Sequence, residues 1–403
     1  MALRILVAWL GAVLVAGAIG SAVKTVVLPR ATPSRITRSV FIALRWVFRL
    51  IVRPRMNYRR RDRRLGAYAP VALIATLVTW LTLVLLGFTM IFWAIEQSGW
   101  LDALELSGSS LFTLGFSGPE HVITTVLIFV EAALGLFLLA LLITYLPTLY
   151  GAFSRREVGI TALEVRAGSP PSALEMIWRY WRLERLPEIH EVWAEWERWF
   201  VDVEETHTSY PALAFFRSSH PDNSWVTAAG AVLDGAALVL SSVELRRDVK
   251  AEFCIRSGYL CLRGIADFFQ IPYDPDPDPD DPISIRRDEW ETVLTHLEEA
   301  GVPLKIDREQ AWRDFAGWRV NYDTVLVALA SLTEAPPALW SSDRGPTRIR
   351  PPVLRRTARS ASGGGMGGVV SPVTGQEEGQ DPGAEDAEEP SRDDREPDAR
   401  ERR

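Results

Sequence analysis

Residues 109–118 read Ser-Ser-Leu-Phe-Thr-Leu-Gly-Phe-Ser-Gly, and the position of this short stretch decides how the chain is organised. It is too short to cross a bilayer, yet it lies between two long apolar runs, Pro70 to Ile95 and Val122 to Leu149. Non-helical backbone at membrane depth is tolerated only where it is buried in protein or lines a water-filled cavity. The order of apolar helix, short loop and apolar helix therefore predicts two membrane spans with a re-entrant loop between them.

The centre of this loop, Thr113, Leu114, Gly115, Phe116 and Ser117, resembles the Thr-Val-Gly-Tyr-Gly filter signature of two-transmembrane, pore-loop potassium channels. The resemblance covers about residues 70 to 155. It implies that residues 102–112 form a short pore helix and that the five loop residues form an ion filter. In such a filter, rings of backbone carbonyl oxygens replace the hydration shell of the ion. The resemblance implies a homotetramer with potassium as the permeant ion, and no cofactor.

The loop also departs from this signature. Phe116 lacks the tyrosine hydroxyl, and the aspartate that follows the motif in the family is absent. Ser117 replaces the second glycine, where a positive φ would cost about 1 kcal/mol, although Gly118 follows directly. We therefore expect a channel-like loop whose ion selectivity the sequence leaves open. The alternative is an ordinary extracellular loop between two helices.

The second apolar run contains Glu131 and, four residues later, Gly135. A carboxylate inside a membrane helix is costly and marks a functional site by default. Residues four apart lie on one helix face. The pair is similar to the inner helix of bacterial pore-loop channels, which implies filter support by Glu131 and a gating hinge at Gly135. Close helix packing is an equally weighted interpretation of Gly135.

The orientation of the chain follows from its arginines. Residues 3–22 are apolar except for Arg4 and are either a signal peptide or a first membrane span. Residues 30–64 contain twelve arginines and one acid, Asp62. Short arginine-rich loops stay in the cytoplasm, whereas a cleaved signal peptide would place this loop outside. We therefore predict an uncleaved first span, with the N-terminus outside and the C-terminal domain in the cytoplasm of a plasma-membrane protein.

Residues 36–52 predict an amphipathic helix at the inner leaflet, because four apolar residues recur at helical spacing: Val40, Phe41, Leu44 and Phe48. Arg38, Arg45 and Arg49 on this helix would contact anionic lipid. A simple topology anchor is the favoured alternative, because orientation alone accounts for the arginines.

The C-terminal half predicts a helical domain with a tryptophan-rich core. Trp225 to Val243 is long enough for a fourth span, but Asp234 at its centre favours a buried helix of a soluble domain. The acidic, proline-rich residues 274–281 predict a stiff linker rather than a calcium site. Cys254 and Cys261 predict two reduced, buried thiols.

No catalytic constellation, phosphate-binding loop or histidine pair is visible, so we expect neither an enzyme nor a nucleic-acid partner. The predicted fold is an all-α membrane protein with three transmembrane helices, a re-entrant pore helix and filter loop, and a mainly helical cytoplasmic domain. The predicted function is a pore-loop cation channel subunit of potassium-channel type. A non-conducting membrane-anchored scaffold that keeps the module for oligomerisation is the alternative.

The predicted domains follow the chain in order. They are an N-terminal transmembrane helix (residues 1–29), an arginine-rich segment (30–65), a channel module (66–155), a helical cytoplasmic domain (156–335) and a disordered acidic tail (336–403). The tail is predicted from composition, because residues 371–403 hold twelve acids and five arginines with almost no apolar residues.

Overall fold

The computed structural model describes residues 1–28, 34–52, 57–97 and 99–344. No β-strand occurs among these residues, although an isolated bridge pairs Val243 with Leu304. The first six helices are α1 (Ala2–Ala22), α2 (Arg35–Ile51), α3 (Tyr58–Gly66), α4 (Tyr68–Glu96), α5 (Trp100–Leu111) and α6 (Val122–Ala167). The others are α7 (Ala173–Arg182), α8 (His190–Ser209), α9 (Trp225–Ser242), α10 (Val249–Phe269), α11 (Arg287–Glu299), α12 (Arg308–Arg319) and α13 (Asp323–Thr333). The predicted all-α class is confirmed.

Four helical segments are long and apolar enough to cross a membrane. They are Ala2–Val27, Tyr58–Glu96, Val122–Ala167 and Trp225–Ser242. The first three contain the apolar runs from which three spans are predicted. The fourth, α9, is almost completely enclosed by the other helices of the C-terminal half, as a buried helix of a soluble domain would be. The chain therefore has the helices of a membrane protein.

Helix α1 packs antiparallel to α4. Near its start, the guanidinium of Arg4 lies 5.6 Å from the centroid of the Trp93 ring. Near its end, the Trp80 indole donates a hydrogen bond to the Ser21 hydroxyl at 2.9 Å. These contacts fix α1 against α4 at both of its ends. That the first span is retained rather than cleaved stays a prediction.

The close approach of α1 and α4 depends on two glycines. A Cβ added at Gly11 would collide with the carbonyl oxygen of Gly87. A Cβ added at Gly87 would lie 2.6 Å from a methyl group of Val15 and 2.8 Å from the Gly11 carbonyl oxygen. Small residues let helix backbones approach closely, which is the main source of attraction between helices in lipid.

The arginine-rich helices lie at the same end of the bundle as the C-terminal helical domain. Arg45 of α2 donates a hydrogen bond to the carbonyl oxygen of Leu332 at 2.7 Å, and Asp62 of α3 pairs with Arg217 at 2.7 Å. This arrangement is compatible with the predicted orientation, in which both regions lie in the cytoplasm. The orientation itself stays a prediction.

Helix α6 crosses the predicted boundary between the channel module and the cytoplasmic domain at residues 155 and 156. It is continuous from Val122 to Ala167 and runs through Pro147. At a rise of about 1.5 Å per residue its 46 residues extend about 69 Å, more than twice the hydrocarbon thickness. Its last turns therefore belong to the helical domain.

Arg156 of α6 is fully buried and holds the domain against this helix. Its guanidinium donates to the carbonyl oxygens of Leu213 at 2.9 Å and Phe216 at 2.8 Å. It also lies 3.1 Å from Nε2 of His207, whose Nδ1 faces the Val203 carbonyl oxygen at 3.0 Å. Burial and the nearby Arg156 lower the pKa of His207 well below its usual value, so the ring is neutral and accepts from Arg156.

The helical domain is built around α9 and a buried ion pair. Asp234 of α9 pairs with Arg319 and accepts a hydrogen bond from the Tyr322 hydroxyl at 2.9 Å. Arg319 also donates to Asp323 at 2.7 Å and to the carbonyl oxygen of Trp340 at 2.6 Å. These bonds connect α9, α12, α13 and the segment that follows, so that the charges lie inside an otherwise apolar core.

This contact corrects the predicted start of the disordered tail. Residues 336–344 are described, and Trp340 is buried against Phe315 with ring centroids 5.5 Å apart. Composition alone did not reveal this anchor, because one aromatic residue hardly changes the mean hydropathy of a polar segment. The remainder of the predicted tail, residues 345–403, lies outside the described residues.

The glycine contact between α1 and α4 gives the first testable prediction. Replacing Gly11 with Ala should lower the unfolding midpoint of the full chain in detergent, with a loss of about 1–3 kcal/mol, because backbone blocks the added methyl group. Tryptophan fluorescence during heating measures the unfolding midpoint.

The matched control is Gly17→Ala, because a Cβ at Gly17 meets no atom within 4 Å. Equal midpoints for the two variants would show that the glycine contact does not hold α1 in place.

The buried ion pair gives the second prediction. Arg319→Leu leaves Asp234 buried without a cation and should destabilise the helical domain by about 3–5 kcal/mol. Arg313→Leu is the control on the same helix, because Arg313 is half exposed and pairs with Glu309 only at 3.7 Å. It should cost about 1 kcal/mol or less. Denaturant titrations followed by near-ultraviolet circular dichroism measure both variants. Equal unfolding midpoints would contradict the predicted role of the Asp234–Arg319 pair.

Candidate pore loop

Helix α5 folds back along the two apolar helices that flank it. It starts beside the end of α4, where the rings of Trp93 and Trp100 stack with centroids 4.6 Å apart. Further along, the Ser107 hydroxyl lies 3.0 Å from the carbonyl oxygen of Leu85. Leu85 is about 16 Å from the Glu96 end of α4, at a rise of about 1.5 Å per residue. The helix therefore descends between α4 and α6 instead of lying across their ends.

The carboxylate of Glu96, the last residue of α4, binds the backbone that follows the loop. One oxygen accepts a hydrogen bond from the backbone N–H of Glu120 at 3.2 Å, and the other accepts from the N–H of His121 at 3.3 Å. His121 immediately precedes α6, where backbone N–H groups have no partner within the helix. The end of α4 and the start of α6 therefore lie side by side, and α5 and the loop connect them.

Ser109 holds the backbone of the predicted filter. Its carbonyl oxygen accepts a hydrogen bond from the N–H of Leu114 at 2.8 Å. Its hydroxyl oxygen accepts from the N–H groups of Phe116 at 3.0 Å and Ser117 at 3.2 Å. Hydrogen bonds from serine to nearby backbone replace regular secondary structure in such segments. One residue at the end of α5 therefore determines the path of the loop.

Two residues of the loop have left-handed backbone conformations. Gly115 has φ +71°, as its place in the filter signature predicts, and Thr113 has φ +56°. Neither Ser117 nor Gly118 has a positive φ, so the strain expected at the second glycine position does not arise. In this chain the loop obtains its turn from Thr113 and Gly115 instead.

The predicted filter residues are exposed on the surface of the chain. Thr113, Leu114, Gly115 and Phe116 are exposed, and Ser117 is partly exposed. The exposed fractions are 62% for Leu114 and 61% for Phe116. The loop therefore presents two large apolar side chains beside non-helical backbone.

Glu131 is completely buried and contacts α5. One carboxylate oxygen accepts a hydrogen bond from the Ser107 hydroxyl at 2.5 Å. The other has no hydrogen-bond partner among the described residues. A turn away, the Ser110 hydroxyl donates to the Ile128 carbonyl oxygen at 2.9 Å. Glu131 thus contacts the helix that carries the loop through Ser107. Its role as filter support stays a prediction.

Gly135 lies against the end of α5. A Cβ added at this position would be 2.5 Å from the carbonyl oxygen of Leu111 and 3.0 Å from its Cδ1 atom. This geometry favours the close-packing interpretation of Gly135. The hinge interpretation stays a prediction, since α6 is an unbroken helix at this position.

Several residues that position the loop were not identified from the sequence. Ser107 and Ser109 are buried, and Glu96 closes the loop. The available signal was the density of serines in a stretch flanked by apolar residues, together with an acid at the end of an apolar run. Neither pattern predicts which residue the serine or the acid binds, because each hydrogen bond joins residues that come together only in the folded chain.

The arginines predicted to contact lipid have different surroundings. Arg38 lies 3.4 Å from the side-chain oxygen of Gln270, and Arg45 is bonded to the helical domain. Arg49 is exposed.

The apolar face assigned to α2 is also corrected, because Phe41 and Phe48 pack on the Tyr68 ring. The exposed apolar residues of this helix are Ile42, Trp46, Val47, Leu50 and Ile51.

Other candidate groups do not form a site. Cys254 and Cys261 are buried and unpaired, and burial raises the pKa of both thiols well above the usual value. They are therefore protonated and unreactive. Within residues 1–28, 34–52, 57–97 and 99–344, no three His, Cys, Asp or Glu side chains come together as a metal site.

Comparison with known proteins gives no further evidence on the family or the function of the chain. No family model matches the chain, and comparison with curated proteins and with solved structures finds no significant match. The resemblance to potassium channels thus rests on residues 113–117 and their setting, and it stays a prediction.

The contact at Gly135 gives the third prediction. Gly135→Ala should push the end of α5 away from α6 and loosen the loop, so amide exchange across residues 112–117 should accelerate at least tenfold. Hydrogen–deuterium exchange of the full chain in detergent measures it. Gly151→Ala is the control on the same helix, since the nearest atom to its added Cβ is 4.0 Å away. Unchanged exchange in Gly135→Ala would show that this contact does not position the loop.

Proposed function

We propose that this chain is a subunit of a tetrameric pore-loop cation channel in the plasma membrane. The observation that carries the proposal is the path of the chain between α4 and α6, which begins and ends beside Glu96. Helix α5 and the loop that contains Thr113 to Phe116 leave and return at Glu96, and they lie beside the apolar helices rather than beyond them. This is the arrangement that a pore helix and a filter loop require.

The exposure of the loop supports several copies around one axis. Non-helical backbone at membrane depth has to face protein or water, and lipid can provide neither. Leu114 and Phe116 have no cover within their own chain. Further copies would cover these side chains and leave the loop carbonyl groups facing a common water-filled axis. Each chain supplies one loop, so a ring of four carbonyl oxygens requires four chains.

Inside the pore, Thr113, Leu114, Gly115, Phe116 and Ser117 would supply backbone carbonyl oxygens to the ion. Ser109 would keep the loop backbone in place, and Glu131 would brace the pore helix through Ser107. The permeant ion is a cation because carbonyl dipoles present their negative ends to it. Potassium is the first candidate through the resemblance, and Phe116 and Ser117 make its selectivity against sodium a separate measurement.

The cytoplasmic domain would regulate the pore through α6. One continuous helix contains Glu131 and Gly135 beside the loop and Arg156 inside the domain. A rotation of the domain would therefore be transmitted to the helix that lines the pore, without an intervening flexible linker. In this proposal the N-terminus lies outside the cell and the domain inside.

Reconstitution of the purified chain into liposomes tests the proposal. We expect potassium flux from the wild-type protein and a loss of at least tenfold in Gly115→Ala, because alanine disfavours the positive φ of this position by about 1 kcal/mol. Gly118→Ala is the control in the same loop, because Gly118 has an ordinary φ and open space around its Cβ position. It should retain at least half of the flux. Replacing potassium with sodium measures selectivity.

The mass of the detergent-solubilised protein separates the alternatives. A tetramer that conducts no ion would favour the membrane-anchored scaffold, in which the module serves only for assembly. A monomer would contradict both the channel and the tetrameric anchor. Equal flux from the wild-type protein and Gly115→Ala would show that ions do not pass this loop.

A further inference from the structure

A cavity lies where the arginine-rich segment meets the helical domain and the start of α4. Among the described residues that line it are the guanidinium groups of Arg45, Arg49, Arg61 and Arg217 and one carboxylate, that of Glu334. Its remaining lining is apolar side chains and the end of α13. The cavity therefore has a surplus of positive charge in partly apolar surroundings.

Among the described residues, two of these four arginines form ion pairs with carboxylates. Arg61 pairs with Glu334, and Arg217 pairs with Asp62 at 2.7 Å. Within the described part of the chain, Arg45 donates to the uncharged carbonyl oxygen of Leu332 at 2.7 Å and lies 6.0 Å from the centroid of the Phe215 ring, and it forms no ion pair. Burial and the adjacent Arg49 both lower the pKa of Arg45. Nearby Glu334 opposes this effect more weakly and is itself paired with Arg61, so a half-buried Arg45 beside Arg49 favours a further anion.

Arg49 is the least constrained member of this set. The described residues provide it with no hydrogen bond or ion pair. Arginine presents a planar set of donors that matches the oxygens of a phosphate group. The adjacent guanidinium groups of Arg45 and Arg49 can thus bind one phosphate between them.

The setting of the cavity indicates the source of the phosphate. Tyr68 lines the cavity and is the first residue of α4, so the cavity lies where that apolar helix begins. On the outer side of α2, Ile42, Trp46 and Leu50 form an exposed apolar stripe at spacings of one turn. An amphipathic helix of this kind lies in the interface of a bilayer, beside lipid headgroups.

We propose that the cavity binds the phosphate of an anionic lipid between Arg45, Arg49 and Arg61, while the acyl chains lie along the apolar stripe of α2. The site differs from the one expected from the sequence, because Arg38 lies outside the cavity and Arg61 is added. Bound lipid would hold the end of α13 against the membrane surface. The site does not depend on ion conduction and can be measured on a chain that conducts nothing.

Thermal unfolding of the full chain in neutral detergent tests the site. Dioctanoyl phosphatidylglycerol should raise the midpoint in a saturable manner, because a ligand that binds only the folded state stabilises it. Dioctanoyl phosphatidylcholine has the same chains without the net charge and should have little effect. Inorganic phosphate has no chains and should also have little effect at the same concentration.

Two variants of α2 locate the binding. Arg49→Gln should weaken binding about tenfold, which is the loss of one charge-assisted hydrogen bond. Its midpoint without lipid should stay unchanged, because Arg49 is exposed and has no hydrogen bond or ion pair with the described residues. Arg35→Gln removes the same charge from the same helix, but Arg35 is exposed and lies outside the cavity. It should weaken binding less than twofold.

A third variant should have the opposite effect. Glu334→Gln removes the carboxylate that pairs with Arg61 in the cavity and frees this arginine for the phosphate, so binding should become at least threefold tighter. Equal weakening by Arg49→Gln and Arg35→Gln would show diffuse surface attraction and overturn the proposal. Equal stabilisation by phosphatidylcholine, or by inorganic phosphate, would overturn it as well.

Discussion

Helix α6 is continuous from Val122 to Ala167, and both halves of the protein are attached to it. Its backbone hydrogen bonds continue on both sides of Pro147, which itself has no N–H to donate. At one end, the absence of a side chain at Gly135 lets α5 approach the helix backbone. At the other, Arg156 binds carbonyl oxygens of the segment that follows α8. The positions of the loop and the domain therefore depend on the same element.

Polar groups in apolar surroundings are paired in similar ways at both ends of this helix. Glu96 and Ser109 accept hydrogen bonds from backbone N–H groups that have no partner in a helix. Arg156 donates to the carbonyl oxygen of Phe216, which follows a short helical turn. An unpaired backbone group in an apolar environment is costly, so these few side chains decide where irregular backbone can exist. The unpaired oxygen of Glu131 is the described exception beside the loop.

The arginine-rich segment has more than one role in the fold. Arg61 and Arg45 connect it to α13, and Asp62 connects it to Arg217. A segment whose charge predicts only orientation thus also joins the membrane helices to the domain. Charge composition could not reveal this, because the partners are contributed by residues more than a hundred positions away in the chain.

Composition and periodicity were sufficient for the helical class, the three long apolar helices and the buried nature of α9. These properties depend on local sequence, because the apolar length of a segment and the spacing of its charges decide what a helix can contact. The close-packing role of Gly135 was open from the sequence, and geometry favours it because a carbonyl oxygen of α5 occupies the space of a Cβ. The place of Ser109 beneath the loop, the closure by Glu96 and the anchor at Trp340 were decided only by the tertiary structure. Each of these is a bond between segments that a linear pattern does not connect, and its partner is defined only when the helices pack.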